Sequence, residues 1–420
     1  MGWVMTKFIL SDGADYFPGI EQDNSGNDLI RGLVGDDTIQ AGDGHDTVYG
    51  GAGNDSIGEV FFIDGDGNDR IYGGLGDDTL DAAFSQDRVW GGAGNDLVSM
   101  YRFPADAGWT SSLYGGEGND SLIVGTLSDQ PAHVTVTRTG DLLHIEFAGQ
   151  GSLDAHGFEQ LEVELTGQPF DFQGCSLAEA VSGQVGRGTM RLGGGDDSAG
   201  LNIGLIGSWA IDGGKGHDLL VIDPFAASTD FLEIHQTRAG GVVSANGLVQ
   251  GTYTDFETVH FKGSNGADLF HMGASDDDIV GWGGNDSFFG GQGDDTLISG
   301  GGDCILTGGQ GRDRLFGGSG SDHFIYNAVR DSGYGASDQI SNFSVGRDVI
   351  DLSRIESGAA DGAFTYIGAS AFTAAGQVRA VESGGWTYVL INTDGTTTAE
   401  MEIRMAGVVA ANLSATDFVL

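Results

Sequence analysis

The chain alternates polar and apolar positions in short bursts bounded by glycine. From Gly263 to Ile325 it divides into seven consecutive blocks of nine residues: GSNGADLFH, MGASDDDIV, GWGGNDSFF, GGQGDDTLI, SGGGDCILT, GGQGRDRLF and GGSGSDHFI. The eighth place of every block is apolar: Phe270, Ile279, Phe288, Leu297, Leu306, Leu315 and Phe324. Its neighbour at place seven is polar in five of the seven blocks. A polar–apolar–polar triplet predicts a short strand with its middle side chain turned inward. Glycine gathers at places one, two and four. There it permits φ > 0 and close backbone approach, so the first six residues predict a tight turn. Two blocks, 18 residues, would close one coil, and coils stacked at about 4.8 Å build a solenoid.

The same phase runs through 23–58, 64–99 and 115–123, with isolated copies at 192–200 and 213–221. The sixth place is where the chemistry lies. It holds Asp28, Asp37, Asp46, Asp55, Asp69, Asp78, Asp87, Asp96 and Asp120 in the first group, then Asp197 and Asp218. In the seven later blocks it holds Asp268, Asp277, Asp286, Asp295, Cys304, Asp313 and Asp322. Block 82–90 has lost its glycines, which sets Asp87 apart. Stacking puts the aspartate of one block beside that of the block two further on. Carboxylates so close repel, and a hard dication with six to eight oxygen ligands removes the repulsion while engaging the turn carbonyls. Calcium suits such a flexible all-oxygen cage. Magnesium wants a stricter octahedron, and zinc wants nitrogen and sulfur donors. Calcium is therefore the expected cofactor, on the order of ten ions if each is shared between turns. A thiol is a poor calcium ligand, so Cys304 predicts a weakened or vacant site.

Composition narrows the function. Of 420 residues 76 are Gly; acids number 61, of which 47 are Asp, against 18 bases, for a net charge of −43. Phosphate and anionic membrane surfaces would repel such a chain, so nucleic acid is excluded as a partner. No apolar run approaches the ~18 residues of a transmembrane segment. With 39% hydrophobic residues and 23 Phe, the chain is too apolar for a solvated tail. A flexible linker would not hold an apolar side chain at every eighth place. Two cysteines, Cys175 and Cys304, cannot make a disulfide framework.

The nonapeptide pattern resembles the RTX, or hemolysin-type, calcium-binding repeat. The resemblance implies an all-β, right-handed parallel β-roll that folds on calcium. A longer repeat joins the two blocks: residues 115–166 are similar to 213–262, pairing Thr137-Arg138-Thr139-Gly140 with Thr237-Arg238-Ala239-Gly240 and Phe158-Glu159 with Phe256-Glu257. Each copy reads as one calcium turn, a β-hairpin insert, and a strand opened by Phe-Glu that rejoins the roll. Covering the edge of the solenoid is the favoured role of the inserts, and ligand recognition the alternative. Residues 167–192 are less regular, and Ser176–Val181 reads as a short helix.

Beyond Ile325 the order Asp338-Gln339-Ile340-Ser341-Asn342-Phe343, Gly346-Arg347-Asp348-Val349-Ile350-Asp351, then a final Asp417-Phe418-Val419-Leu420, resembles the C-terminal domain of serralysin-type exoproteins. That resemblance implies a β cap on the roll and an uncleaved signal for the type I secretion machinery, hence a secreted, extracellular protein. The N-terminus shows no apolar core or cleavage site of a leader, which agrees. Asn342, where the family usually has an acid, and the reduced acidic turn Asn392-Thr393-Asp394-Gly395 put metal binding by this domain in question.

The domain organisation expected is an N-terminal cap (1–22), a first β-roll block (23–123), a β-rich insert (124–192), degenerate turns with a second insert (193–262), a second β-roll block (263–325) and the cap and secretion domain (326–420). A protease is not expected. No His-Glu-x-x-His, G-x-S-x-G or P-loop string occurs, and the repeats begin near Asp23, leaving no room before them for a catalytic domain. No catalytic residue is assigned. His45 and His217 precede motif aspartates and read as solvated turn residues. The expected function is that of a structural or adhesive extracellular protein, with polysaccharide or a cell surface as candidate partner. The competing reading is a calcium-dependent lyase or epimerase of polysaccharide, or an enzyme acting on peptide, with its site in 100–262. There His144 and Glu146 share one face of a predicted strand.

Overall fold

The computed structural model describes residues 6–17, 26–58, 67–82, 86–100, 108–125, 133–148, 150–203, 208–224, 231–237 and 240–420. Both ends of the expected N-terminal cap, and Arg238 and Ala239, lie outside the described residues. The chain is an all-β parallel β-roll, and it divides into two compact units, Met1–Gly216 and His217–Leu420.

In the first unit the eighth-place side chains turn inward as the pattern demands. Ile30, Ile39, Val48, Ile57, Ile71, Leu80, Val89 and Val98 are at most 1% exposed. Each strand pairs in parallel with the strand one coil away, Ile30 beside Val48 and Ile39 beside Ile57. The strands form two rows. One holds Thr6–Ile9, Asp28–Val34, Thr47–Ala52, Arg70–Leu75, Arg88–Ala93 and Trp109–Glu117. The other holds Tyr16–Phe17, Thr38–Gln40, Ser56–Gly58, Thr79–Asp81, Leu97–Met100 and Ser121–Gly125. Outside the first row, ninth-place rings stack face to face along the roll. Ring centroids stand 4.8 Å apart for Tyr49–Tyr72, 4.5 Å for Tyr72–Trp90, 5.6 Å for Trp90–Tyr114 and 5.3 Å for Tyr114–His156.

The first insert stays in the sheet. Val134–Thr139, Leu142–Phe147 and Gly151–His156 make an antiparallel meander. Gly151–His156 pairs with Trp109–Glu117 of the coil before, and Val134–Thr139 with the second half of Gln160–Gln173. In the opposite row Ser121–Gly125 pairs directly with the first half of that strand. The insert therefore widens one face without leaving it.

The helix expected at Ser176–Val181 is not formed. Gly174 opens a further nine-residue block in which Glu179 and Val181 take the sixth and eighth places, and Val181 begins to pair within the long strand Ala180–Gly194. Phe172 and Met190, eighth in blocks 165–173 and 183–191, are buried as well. Stacking wins over local propensity because each coil satisfies the backbone of the next; the Glu179 N–H, for instance, donates to Asp197 Oδ1 at 2.7 Å.

The second unit repeats the scheme. Phe270, Ile279, Phe288, Leu297, Leu306, Leu315 and Phe324 are at most 1% exposed. Its insert, Leu232–Thr237, Gly240–Ala245 and Leu248–Thr254, is again an antiparallel meander that rejoins the roll at Leu269–His271. At the C-terminal end, Met401–Met405 continues one row beside Asp338–Ser341, and Phe418–Val419 continues the other beside Val349–Asp351. Trp386–Asn392 extends the first antiparallel to Met401–Met405, and Gln377–Ser383 pairs antiparallel with Trp386–Asn392. Both open edges are thus covered, as a solenoid end requires. Among the described residues no helix is long and apolar enough to cross a membrane.

Candidate metal centre

Most of the turns are shaped by glycines at positive φ, although Leu33 and Trp282 take that conformation at place two of their own blocks. In block 50–58, Gly51 and Gly53 hold φ of 128° and 135°. Gly50, at place one, faces the turn's own carboxylate: a Cβ there would collide with Asp55 Oδ2 and lie 2.7 Å from the Gly73 carbonyl oxygen. The same cradle recurs at Gly73, between Asp78 Oδ2 and the Gly91 carbonyl at 2.6 Å, and at Gly290, between Asp295 Oδ2 and the Gly308 carbonyl at 2.6 Å.

All 17 motif aspartates named from the sequence are at most 2% exposed. Their Oδ1 atoms are used along the roll. Asp55 Oδ1 accepts the Asp37 N–H at 2.8 Å, Asp78 Oδ1 the Asp55 N–H at 2.8 Å, and Asp96 Oδ1 the Asp78 N–H at 2.9 Å. A parallel file links Asp28, Asp46, Asp69 and Asp87. In the second unit, Asp277, Asp295 and Asp313 form one file, and Asp268 with Asp286 begins another. The second oxygen is different. Oδ2 of Asp37, Asp46, Asp55, Asp78, Asp96 and Asp120, and of Asp277, Asp286, Asp295 and Asp313, is buried with no hydrogen-bond partner. Asp268 and Asp322 depart from this, since their Oδ2 atoms accept the N–H of Ser264 at 2.7 Å and of Gly318 at 2.8 Å.

Burial, reinforced by the neighbouring carboxylates, makes ionisation costly. It pushes Asp46, Asp286 and Asp295 up to about 8, Asp78 and Asp277 to about 7, and Asp55 and Asp313 to about 6. A buried charge with an orphaned oxygen beside a backbone carbonyl is what a hard cation relieves. Among the described residues no three His, Cys, Asp or Glu side chains gather in one cluster. The carboxylates stand in single file, and the other donors are backbone carbonyls. The donor set is therefore all oxygen, which fits calcium.

Cys304 interrupts one file. Its Sγ accepts the Asp286 N–H at 3.4 Å, and its own N–H donates to Asp322 Oδ1 at 3.1 Å. Burial pushes the thiol up to about 12, so it is neutral.

The files run further than the sequence reading placed them. Asp15 N–H donates to Asp37 Oδ1, Asp120 N–H to Glu159 Oε2 at 2.8 Å, and Asp218 N–H to Glu257 Oε2 at 2.8 Å. Asp313 N–H donates to Asp338 Oδ1 and Asp322 N–H to Asp348 Oδ1, both at 3.0 Å. The Phe-Glu pairs that open each returning strand were the available signal. At Glu179 a protein cation takes part: Arg138, from the first insert, lies 3.2 Å from Glu179 Oε2 and donates to the Phe158 carbonyl at 2.9 Å, both side chains being buried. A second, exposed file runs through place five. In it His45 Nδ1 accepts the Asn68 N–H at 2.7 Å, so His45 is a rung rather than a merely solvated residue. His144 pairs with Asp154 across the meander at 2.6 Å, not with Glu146.

The family described as Peptidase M10 serralysin C terminal matches residues 22–420. The AlgE6R3 subunit of the Azotobacter vinelandii mannuronan C5-epimerase is 31% identical over 37% of this chain and 80% of its own, with a TM-score of 0.21. The AlgE6R2 subunit is 29% identical over 38% of this chain and 91% of its own, with a TM-score of 0.22. The extracellular lipase LipA of Serratia marcescens is 16% identical over 60% of this chain and 40% of its own, at 0.19. No curated protein matches.

Proposed function

The chain belongs to the peptidase M10 serralysin C-terminal family and is a secreted RTX-type protein; from that premise we propose that its aspartate turns bind calcium and that the roll folds as they fill. The observation that carries this reading is the repeated orphan oxygen: at Asp37, Asp55, Asp78, Asp96, Asp120, Asp286 and Asp295 a buried Oδ2 without a hydrogen-bond partner faces a place-one glycine and a backbone carbonyl. All 17 motif aspartates are assigned as ligands, on the order of ten ions if each is shared between turns. When bound, calcium supplies the positive charge that the buried carboxylates lack. The chain's own residues do the rest. The glycines leave room beside each carboxylate, Oδ1 locks one coil to the next, and the eighth-place side chains bury the strand.

Folding is thereby tied to location. Extracellular calcium modules bind at ~0.1–1 mM, a concentration met outside the cell. The chain crosses unfolded through a type I exporter that reads its C-terminal segment, then folds as its sites fill. Its extracellular role is structural or adhesive. Far-UV circular dichroism of the full chain tests the linkage. Strand signal should rise cooperatively on adding calcium at millimolar concentration, and identical spectra with chelator and with calcium would sink the proposal.

A further inference from the structure

The stacked rings of the first unit share their face with four cations. Lys7 and Arg31 stand outward on Thr6–Ile9 and Asp28–Val34, and beyond the Thr47–Ala52 coil Arg70 and Arg88 stand opposite each other in register. The Arg31 guanidinium lies 5.0 Å from the centre of the Tyr49 ring. In a protein with 61 acids and 18 bases, the two outward rows of these strands, from Lys7 to Tyr114, contain no carboxylate. None of the four cations forms an ion pair among the described residues. Two like charges set directly opposite on a sheet destabilise it. Leaving Arg70 and Arg88 side by side therefore costs stability, and no ion pair among the described residues offsets it.

We infer that this face binds an extended carboxylated polysaccharide. Charge complementarity selects an anion, and the chain's net −43 disfavours densely charged nucleic acid. The rings of Tyr49, Tyr72, Trp90 and Tyr114 follow one another on successive coils, with Arg70 and Arg88 beside them on two neighbouring coils about 4.8 Å apart, which suits a linear polymer. The rings cover one another's faces, so a ligand meets their polar edges as well as the guanidinium groups. Stacking also holds the rings in place beforehand, which lowers the cost of ordering them on binding.

The inference rests on the calcium-folded roll, because the face exists only when the coils stack. The test is titration of the full chain, in roughly 5 mM calcium, with galacturonate oligomers too short to gel, against neutral dextran oligomers. The variant Arg70→Thr/Arg88→Thr uses the residue that the roll itself places at Thr47 in the same row, so its circular dichroism in calcium should match the parent. Loss of two charge-assisted contacts should weaken galacturonate binding by about tenfold or more. Tyr72→Thr/Trp90→Thr should weaken it as well, and dextran should not bind. Parent protein that folds in calcium yet ignores galacturonate overturns the inference alone. So does binding unchanged in Arg70→Thr/Arg88→Thr, which would mark calcium bridging by the acidic surface, or binding to anionic vesicles instead. Failure to fold in calcium overturns the underlying reading.

Discussion

Replacing Cys304 by Asp should repair an interrupted file, with effects of opposite sign in calcium and in chelator. The thiol sits buried between Asp286 and Asp322 and is held by the backbone hydrogen bonds that an aspartate Oδ1 makes elsewhere. Cys304→Asp puts a carboxylate there of nearly the same length. With a dissociation constant of ~0.1–1 mM and 5 mM calcium, one added site contributes about 1–2 kcal/mol to the loaded protein. For a unit of some 200 residues that raises Tm by about 2–8 °C. In chelator the change adds a buried charge beside Asp286 and Asp322, whose carboxyls burial already holds high, so Tm should fall. Thermal unfolding followed by circular dichroism in both media, with equilibrium dialysis to count ions, reads both effects. A variant with no added calcium and a lower Tm in both media would refute the reasoning.

Gly73→Ala puts a methyl group into the cradle between Asp78 Oδ2 and the Gly91 carbonyl; dialysis should show at least one ion lost, with the larger Tm decrease in calcium. Asp78→Asn removes a carboxyl that burial pushes up to about 7, so it should weaken calcium binding yet stabilise the calcium-free protein, a pairing that chemical denaturation can check. Arg138→Ala leaves Glu179 buried without its cation and should cost about 3–5 kcal/mol; urea unfolding in calcium measures it. The pH dependence without calcium follows from Asp46, Asp286 and Asp295, whose carboxyls are pushed up to about 8 when folded. A raised folded-state pKa gives stability that is full below the unfolded value near 4 and lost as pH rises toward the folded value. Acidifying calcium-stripped protein from about pH 8 to about pH 5 should therefore increase its strand content, and no change across that range would count against the buried files.

The regular turns were legible because glycine, aspartate and an apolar residue recur at fixed places, and a period needs no tertiary information. The coil 174–182 was not, because Glu179 replaces the aspartate and only Gly174 and Val181 keep the phase. Its Glu179 is served by Arg138, which arrives from some forty residues earlier, and no local pattern encodes that meeting. Glu159 and Glu257 were visible as a repeated Phe-Glu pair, but their place in the files depends on where each insert returns to the roll. The true partner of His144 was hidden for the same reason. Asp154 lies opposite it only through the register of the meander, whereas Glu146, two residues along, was the neighbour that sequence alone offers.

The most direct test of calcium-driven folding is hydrogen exchange read by mass spectrometry on the full chain, first in chelator and then in roughly 5 mM calcium. The turns of 26–58, 67–100 and 263–325, whose amides donate to the aspartate files, should exchange freely in chelator and become protected together when calcium is added. Equal protection of these turns in both conditions would contradict the account, because the roll would then be folding without the ions its buried carboxylates are proposed to hold.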